Sequence, residues 1–187
     1  MKNISKYKFY FKKTTNLTKE EKNKMMHLMI ATYPAFKKYY LKNKYYSTVK
    51  PQFEHLIMIN KNLVGVGKLL WRKVKIGNQF IKFFAFGVLI SKKHQGKSLG
   101  TTLIKKDIVE AKKRRADILF GSTTNQIAEG IVKKLGFKNL ICPVFYTNVE
   151  IGKIEKENHR VWIYEFKKGL INKIENLQKF YIGTGPL

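Results

Sequence analysis

One stretch of the sequence decides the fold: Val88-Leu89-Ile90-Ser91-Lys92-Lys93-His94-Gln95-Gly96-Lys97-Ser98-Leu99-Gly100. It follows a run that is almost wholly apolar from Phe83, which predicts a central strand over residues 79–90. After it, apolar residues recur at helical spacing, which predicts a helix over residues 99–115. A strand that enters a helix through a glycine turn directs backbone N–H groups at the positive helix end, so this stretch predicts an anion site.

Lysines reinforce that prediction. Lys92, Lys93, Lys97 and Lys105 add positive charge that suits phosphate groups. Glycines and lysines in a turn are also compatible with a plain tight connection between a strand and a helix. The residues of the turn alone leave both interpretations open.

The rest of the chain fits one α/β domain over residues 1–187. Thr18 and Glu21 have capping-box spacing and predict the start of a helix that Pro34 ends. Residues 35–51 predict a loop or short helix, and Asn125 predicts the cap of a later helix that stops at Gly136. Strands are predicted over residues 7–11, 55–59, 63–75, 79–90, 118–121, 137–140, 144–147 and 161–166. Three consecutive strands with tight turns form an antiparallel meander, within a mixed, mostly antiparallel sheet flanked by helices.

Composition narrows the class of protein. Hydrophobic residues make up 44% of the 187 residues, which is enough for a packed core and excludes a disordered chain. Cys142 is the single cysteine, so it forms no internal disulfide, and it is expected in the core rather than as a nucleophile. We therefore expect a reducing, cytoplasmic location, no metal site and no membrane span.

The net charge of +26 has two interpretations. It is typical of a surface that binds anionic partners such as nucleic acid, and residues 36–46 interleave aromatic side chains with lysines. However, 34 of the 38 basic residues are lysines and they are spread along the chain, as AT-rich coding would produce. A basic nucleic-acid-binding protein is accordingly the alternative function.

Two segments carry a family resemblance. Residues 95–100 resemble the acyl-CoA signature of the GNAT N-acyltransferases, Gln/Arg-x-x-Gly-x-Gly/Ala, with Gln95 and Gly100 at its ends. Ser98 stands at the middle glycine of that pattern. The segment from Asn125 to Gly136-Phe137 resembles the family's next helix. The resemblance implies a GNAT-like single domain.

The resemblance also implies an activity and a site. The activity is transfer of an acyl group, in the first place acetyl, from acetyl-CoA or another acyl-CoA to a primary amine by direct attack. The amides of residues 96–101 would hold the pyrophosphate, the backbone of residues 88–90 would pair with the pantetheine arm, and the Val88 region would stabilise the oxyanion. The implied cofactor-binding residues are Val88, Leu89, Ile90, Gln95, Gly96, Lys97, Ser98, Leu99, Gly100, Thr101 and Asn125.

A branch of the family is also suggested. The hairpin over residues 64–90 and the tail over residues 181–187 resemble the nodulation N-acyltransferases and the aminoglycoside N-acetyltransferases. An aminoglycoside is a polycation, which suits a chain with 12 acidic residues poorly. The charge favours a neutral, anionic or macromolecular acceptor, and a homodimer stays open.

The family resemblance does not identify the acid and the base of the reaction in this chain. Where many family members have a tyrosine this chain has Val132, and where some have a glutamate it has Phe120. The candidates that remain are Tyr146 as the acid, and Glu54, His55 or the Leu187 carboxylate as the base, each with a purely structural role as its alternative. Two further hypotheses are catalysis mainly by positioning of the substrates and a domain that binds CoA without catalysing a reaction.

Overall fold

The structure is a computed structural model and describes residues 4–43, 45 and 48–185. Its strands are β1 (Lys8–Lys13), β2 (Phe53–Ile59), β3 (Asn62–Ile76), β4 (Gln79–Ile90), β5 (Ile118–Thr123), β6 (Lys138–Leu140), β7 (Val144–Thr147), β8 (Ile154–Lys156), β9 (Arg160–Glu165) and β10 (Phe180–Thr184). Its helices are α1 (Lys19–Thr32), α2 (Lys37–Asn43), α3 (Leu99–Lys113), α4 (Gln126–Lys134) and α5 (Leu170–Glu175).

Seven strands form a mixed sheet in the order β1-β2-β3-β4-β5-β9-β6. The pairs β1–β2, β2–β3, β5–β9 and β6–β9 are antiparallel, and β4–β5 is parallel. The predicted mixed α/β fold, with a central, mostly antiparallel sheet and flanking helices, is confirmed.

The chain divides into two compact units. The first unit is Met1–Leu70 with Gly87–Ile104, and the second is Trp71–Phe86 with Lys105–Leu187. Strands β3 and β4 and helix α3 have residues in both units.

In the first unit, α1 begins at the predicted capping box. The Thr18 hydroxyl accepts a hydrogen bond from the Glu21 amide at 3.1 Å, and the Glu21 carboxylate accepts one from the Thr18 amide at 2.9 Å. Helix α1 then ends two residues before Pro34, whose ring prevents a regular helix from continuing. The apolar side of α1 packs against Leu56 and Leu89 in one buried cluster.

Strand β4 has side chains on two faces in this unit. Leu89 belongs to the cluster that contains α1, whereas Val88 and Ile90 pack against a second cluster that contains Leu99 and Leu103 of α3. Successive side chains of a strand point to opposite faces, so the end of β4 is covered on both sides, as its apolar sequence predicts.

In the second unit, the core surrounds β5. Phe83 and Phe120 are fully buried and their ring centroids lie 5.2 Å apart. Cys142 belongs to the same apolar cluster and is 5% exposed, which confirms its prediction as a core residue.

The prediction that every late strand completes one sheet was wrong. Strand β7 pairs with β8 and β10 in a separate three-stranded sheet. Three elements are absent from the sequence-based prediction, namely β8, α5 and β10, because each is six residues or shorter and shows too little of its period to be recognised. Helix α3 also ends before the predicted residue 115, because Arg115 adopts a left-handed backbone with φ +57°.

Candidate functional site

The connection between β4 and α3 lies entirely in the first unit. The Ser91 amide donates to the Val64 carbonyl at 2.9 Å, and a short 3₁₀ turn, Lys92–His94, follows. The first hydrogen bond of α3 runs from the Thr102 amide to the Ser98 carbonyl at 3.0 Å. The amides just before Thr102, at the start of the helix, therefore have no acceptor within it and can donate to an anion.

Two residues of this turn have a left-handed backbone. Gly96 has φ +70° and Ser98 has φ +60°. Glycine adopts this conformation at no steric cost, whereas a serine does so with strain. A glycine at position 98 would adopt the same backbone conformation without this strain.

Gly100 and Gln95 shape the two ends of the turn. A Cβ added to Gly100 would meet only the Val88 side chain, at 3.9 Å, which is ordinary contact. The Gln95 side-chain amide donates to the Ile90 carbonyl at 3.1 Å and so ties the turn to the end of β4. Gln95 thus has a structural role in closing the turn.

A pair of aromatic residues that the sequence analysis missed supports the turn. The Tyr7 hydroxyl lies 3.0 Å from His94 Nδ1, and the two rings meet edge to face. Burial, followed by the charges of Lys97, Lys6 and Lys93, lowers the pKa of His94. The residues are 87 positions apart in the chain, and nothing in either local sequence indicates the pairing.

Glu54 and His55, the candidate bases, are buried on β2 and are 0% and 2% exposed. Glu54 stands opposite Lys12 on β1 and Lys68 on β3. The Lys68 side chain extends over β4 at Gly87, where an added Cβ would lie 2.6 Å from Lys68 Cε. The Leu187 carboxylate lies outside the described residues.

Asn125 lies in the second unit and is the N-cap of α4, as predicted. Its Oδ1 accepts from the Ile127 amide at 2.9 Å and from the Ala128 amide at 3.3 Å. The cap uses only the side-chain oxygen, and the exposed position leaves the Nδ2 group able to donate to a ligand.

Tyr146, the candidate acid, lies on β7 in the second unit. Its hydroxyl donates to a Glu155 carboxylate oxygen at 3.1 Å. Burial, this hydrogen bond and the charges of Glu155 and Glu157 raise the pKa of Tyr146 to about 12. A hydroxyl with that pKa is a weak acid toward a thiolate, since thiols have pKa values near 8.5.

The two family positions that lack a catalytic side chain also lie in the second unit. Val132 is 3% exposed and Phe120 is 0% exposed. Both are part of the packed interior of the unit, so neither provides a polar group.

Residues 36–46, whose aromatic side chains suggested base stacking, pack partly in the core. Tyr40 is 6% exposed and packs with α1, and Tyr39 packs against the same cluster. Phe36 is 58% exposed, and Lys44 and Tyr46 lie outside the described residues. The described aromatic side chains therefore offer less stacking surface than the sequence indicates.

Two negative findings apply to the part of the chain that is described. Within it, no three His, Cys, Asp or Glu side chains are grouped to bind a metal ion. No helix of that part has the length and apolar character needed to cross a membrane.

The family of the chain is shown by its match to a family model. Residues 22–137 match the family model described as the acetyltransferase (GNAT) family. No curated protein matches the chain by sequence.

Solved structures show the same fold at low sequence identity. Escherichia coli ElaA has a TM-score of 0.60 and 14% identity, with 85% of this chain and 99% of that chain covered. A GNAT family acetyltransferase from Brucella melitensis, in complex with acetyl-CoA, has a TM-score of 0.52 and 12% identity, with 85% and 88% covered. A GCN5-related N-acetyltransferase from Kribbella flavida has a TM-score of 0.52 and 9% identity. There the match covers 74% of this chain but only 35% of the Kribbella protein.

Proposed function

Because the chain belongs to the acetyltransferase (GNAT) family, we propose that it transfers an acetyl group from acetyl-CoA to a primary amine. The observation that carries this proposal is the turn between β4 and α3, where Gly96 and Ser98 have φ of +70° and +60°. This backbone path ends in a 15-residue helix whose first amides can donate to an anion.

The cofactor would be held mainly by backbone groups. We assign the amides of residues 96–101 to its pyrophosphate and the backbone of residues 88–90 to the pantetheine arm. Lys92, Lys93 and Lys97 add positive charge at the same turn, which favours a phosphate there. The predicted contact between Asn125 and the arm is supported by the family resemblance alone.

Acetyl-CoA supplies the activated acetyl thioester. The Val88 amide is assigned to donate a hydrogen bond to the thioester oxygen as negative charge develops on it during attack by the amine. The amine must lose a proton and the departing sulfur must gain one. We assign both transfers to solvent, with positioning as the main contribution of the protein, because Tyr146 is held by Glu155 and Glu54 is fully buried.

The acceptor is proposed to be a neutral or anionic amine. The first unit carries 18 lysines and three glutamates, and two of those glutamates, Glu20 and Glu21, are paired with Lys24 and Lys12. A polycation such as an aminoglycoside would be repelled by this charge. The resemblance to the nodulation and aminoglycoside branch is therefore proposed to extend to the shape of the β3–β4 hairpin and not to the acceptor.

Thiol release tests the proposed function. Acetyl-CoA is incubated with the protein and a panel of primary amines that includes neutral, carboxylate-bearing and polycationic members, and free CoA is measured over time. We expect amine-dependent release with a neutral or carboxylate-bearing amine, and release at the background rate for Gly100→Glu. No amine-dependent release from any amine, in a protein that binds acetyl-CoA, would contradict catalysis and favour a CoA-binding domain.

A further inference from the structure

The β3–β4 hairpin carries a row of exposed side chains in the second unit. Trp71, Lys73 and Lys75 of β3 are exposed, whereas Val74 and Ile76 are buried in the apolar cluster of that unit. Successive side chains of a strand point to opposite faces, so the three exposed residues share one face and the core lies against the other. This outer face of the hairpin therefore combines an indole ring with two ammonium groups.

Strand β4 adds a second exposed aromatic side chain to the outer face. The Phe84 and Trp71 rings have centroids 6.4 Å apart and planes at 23°, which places Phe84 on the outer face. Phe80 and Lys82 precede Phe84 by an even number of positions and therefore share its face. The Phe80 side chain is 68% exposed and that of Trp71 is 36% exposed, so both rings offer surface to a partner.

Lys82 joins the outer face to the end of α3. Its ammonium lies 5.1 Å from the centroid of the Trp71 ring and donates to the Arg114 carbonyl at 2.6 Å. The last turn of α3 contains Lys112 and Lys113, which are both exposed. The hairpin and the helix thus bring their lysines to one surface.

Ordinary structural roles account for only part of this surface. Lysines in the last turn of a helix interact favourably with the helix dipole, which explains the two lysines of α3. That argument does not extend to the two lysines of β3 or to an exposed phenyl ring on a strand. Two acidic residues at this end of α3 are engaged within the unit. Glu110 pairs with Arg114 at 3.1 Å, and the Asp117 carboxylate accepts from the Lys82 amide at 2.6 Å.

We propose that single-stranded nucleic acid binds this surface, with the lysines contacting phosphates and the two rings stacking on bases. The basic surface, as we name it, consists of Trp71, Lys73, Lys75, Phe80, Lys112 and Lys113. A single strand is favoured over a duplex because its bases can stack on the two rings, whereas the bases of a duplex already stack on one another. The basic surface shares no residue with the turn between β4 and α3, so this inference is independent of the proposed acetyl transfer.

Fluorescence anisotropy of a labelled oligothymidylate of about 16 nucleotides tests the lysines. We compare the unmodified protein with the double variant Lys112→Gln/Lys113→Gln. The matched control, Lys133→Gln/Lys134→Gln, removes the same charge from exposed lysines in the last turn of α4, in the same unit. We expect a Kd of about 1–100 µM for the unmodified protein at physiological salt, and about tenfold weaker binding for Lys112→Gln/Lys113→Gln.

The salt dependence adds a second measurement on the same two variants. The slope of log K against log salt should fall by about 1.4 in Lys112→Gln/Lys113→Gln, because each phosphate contact on a single strand contributes about 0.7. The control should keep its slope, and its affinity should stay within about threefold, since it loses only long-range attraction.

The two rings are tested separately from the charge. Phe80→Ala should weaken oligothymidylate binding about fivefold or more with an unchanged salt slope, because stacking releases no counterions. The chain has two tryptophans, and Trp162 is 9% exposed, so a base stacked on Trp71 should quench the fluorescence of the more exposed indole. Trp71→Phe should abolish this quenching and keep the affinity within about threefold, since a phenyl ring still stacks.

Three results would overturn the proposal. Equal losses in Lys112→Gln/Lys113→Gln and in Lys133→Gln/Lys134→Gln would mean that binding is spread over the whole positive charge of the chain. A loss of affinity in Phe80→Ala for vesicles containing phosphatidylserine, but not for oligothymidylate, would identify a membrane surface as the partner. Failure of the unmodified protein to bind oligothymidylate at about 50 mM salt would remove the proposal altogether and leave the proposed acetyl transfer untouched.

Discussion

The turn between β4 and α3 and the interior around β5 and α4 respond differently to a change of sequence. At the turn, Ser98 stands where the family pattern has glycine, and its φ of +60° lies in the left-handed region that glycine adopts most easily. In the interior, Phe120 and Val132 stand where the resemblance places a glutamate in some family members and a tyrosine in many, and both are packed in the core. A site made of backbone amides tolerates a changed side chain, whereas an acid or base is lost with the side chain that carries it.

The largest expected effect comes from placing a carboxylate in the interior. Phe120→Glu places a charge where the side chain is 0% exposed and its ring centroid lies 5.2 Å from that of Phe83. We expect the free energy of unfolding to fall by at least about 3 kcal/mol, measured by urea denaturation. Phe120→Leu is the control and should lose about 1.5 kcal/mol or less. Near-normal stability of Phe120→Glu would mean that this position can accept a catalytic carboxylate after all.

Gly100→Glu tests the turn. A Cβ fits at Gly100, so the change should leave the unfolding temperature nearly the same. The added carboxylate would face the proposed phosphate, and we expect acetyl-CoA affinity to fall about 100-fold by calorimetry, which corresponds to about 2.7 kcal/mol. Gly100→Ala and Gly100→Gln separate the effects of size and charge. Retained affinity in Gly100→Glu would refute the placement of the pyrophosphate.

Ser98→Gly and Gly96→Ala should change the free energy of unfolding in opposite directions. Ser98 has φ +60°, so a glycine relieves strain there and should raise the free energy of unfolding by about 1 kcal/mol. Gly96 has φ +70° with open space around its Cβ position. Gly96→Ala should therefore lower the free energy of unfolding by a similar amount, through backbone strain alone. Thermal unfolding measures both changes. Equal effects of the same sign would show that the two positive φ angles are not the cause.

Tyr146→Phe should have the smallest effect on the reaction. The Tyr146 hydroxyl is held by Glu155 and its pKa is raised to about 12, so it should stay protonated through neutral and mildly alkaline pH. We expect the kcat of Tyr146→Phe to stay within about threefold of the unmodified value, with an unchanged pH profile. A fall of tenfold or more would identify Tyr146 as the acid that the sequence suggested.

Local sequence patterns predicted the parts of the molecule that depend on local physics. The bounds of β4, the capping box at Thr18 and the Asn125 cap are each determined by residues within a few positions of one another. The separate sheet of β7, β8 and β10 depends on pairing between short segments far apart in the chain. Such pairing is selected by tertiary packing, which a single sequence does not reveal.

The candidate site likewise has features that the local sequence predicts and features that it does not. The position of the turn follows from its glycines and the neighbouring apolar runs. The left-handed φ of Ser98 does not follow from the sequence, because serine usually avoids this conformation. The contact between Tyr7 and His94 does not follow from it either, because the two residues are 87 positions apart. The roles of Glu54 and Tyr146 stay predictions, and so do the cofactor contacts of residues 88–90 and 95–101 and of Asn125.

The most direct test of the central claim is the melting temperature of the protein at increasing acetyl-CoA concentrations, with Gly100→Glu in parallel. A ligand at 100 times its Kd stabilises the folded state by about 2.7 kcal/mol, which is a rise of roughly 5–10 °C for a chain of this size. We predict a saturable rise of that order for the unmodified protein and none for Gly100→Glu. A melting temperature that does not change at any concentration of acetyl-CoA would contradict a cofactor site at the turn between β4 and α3.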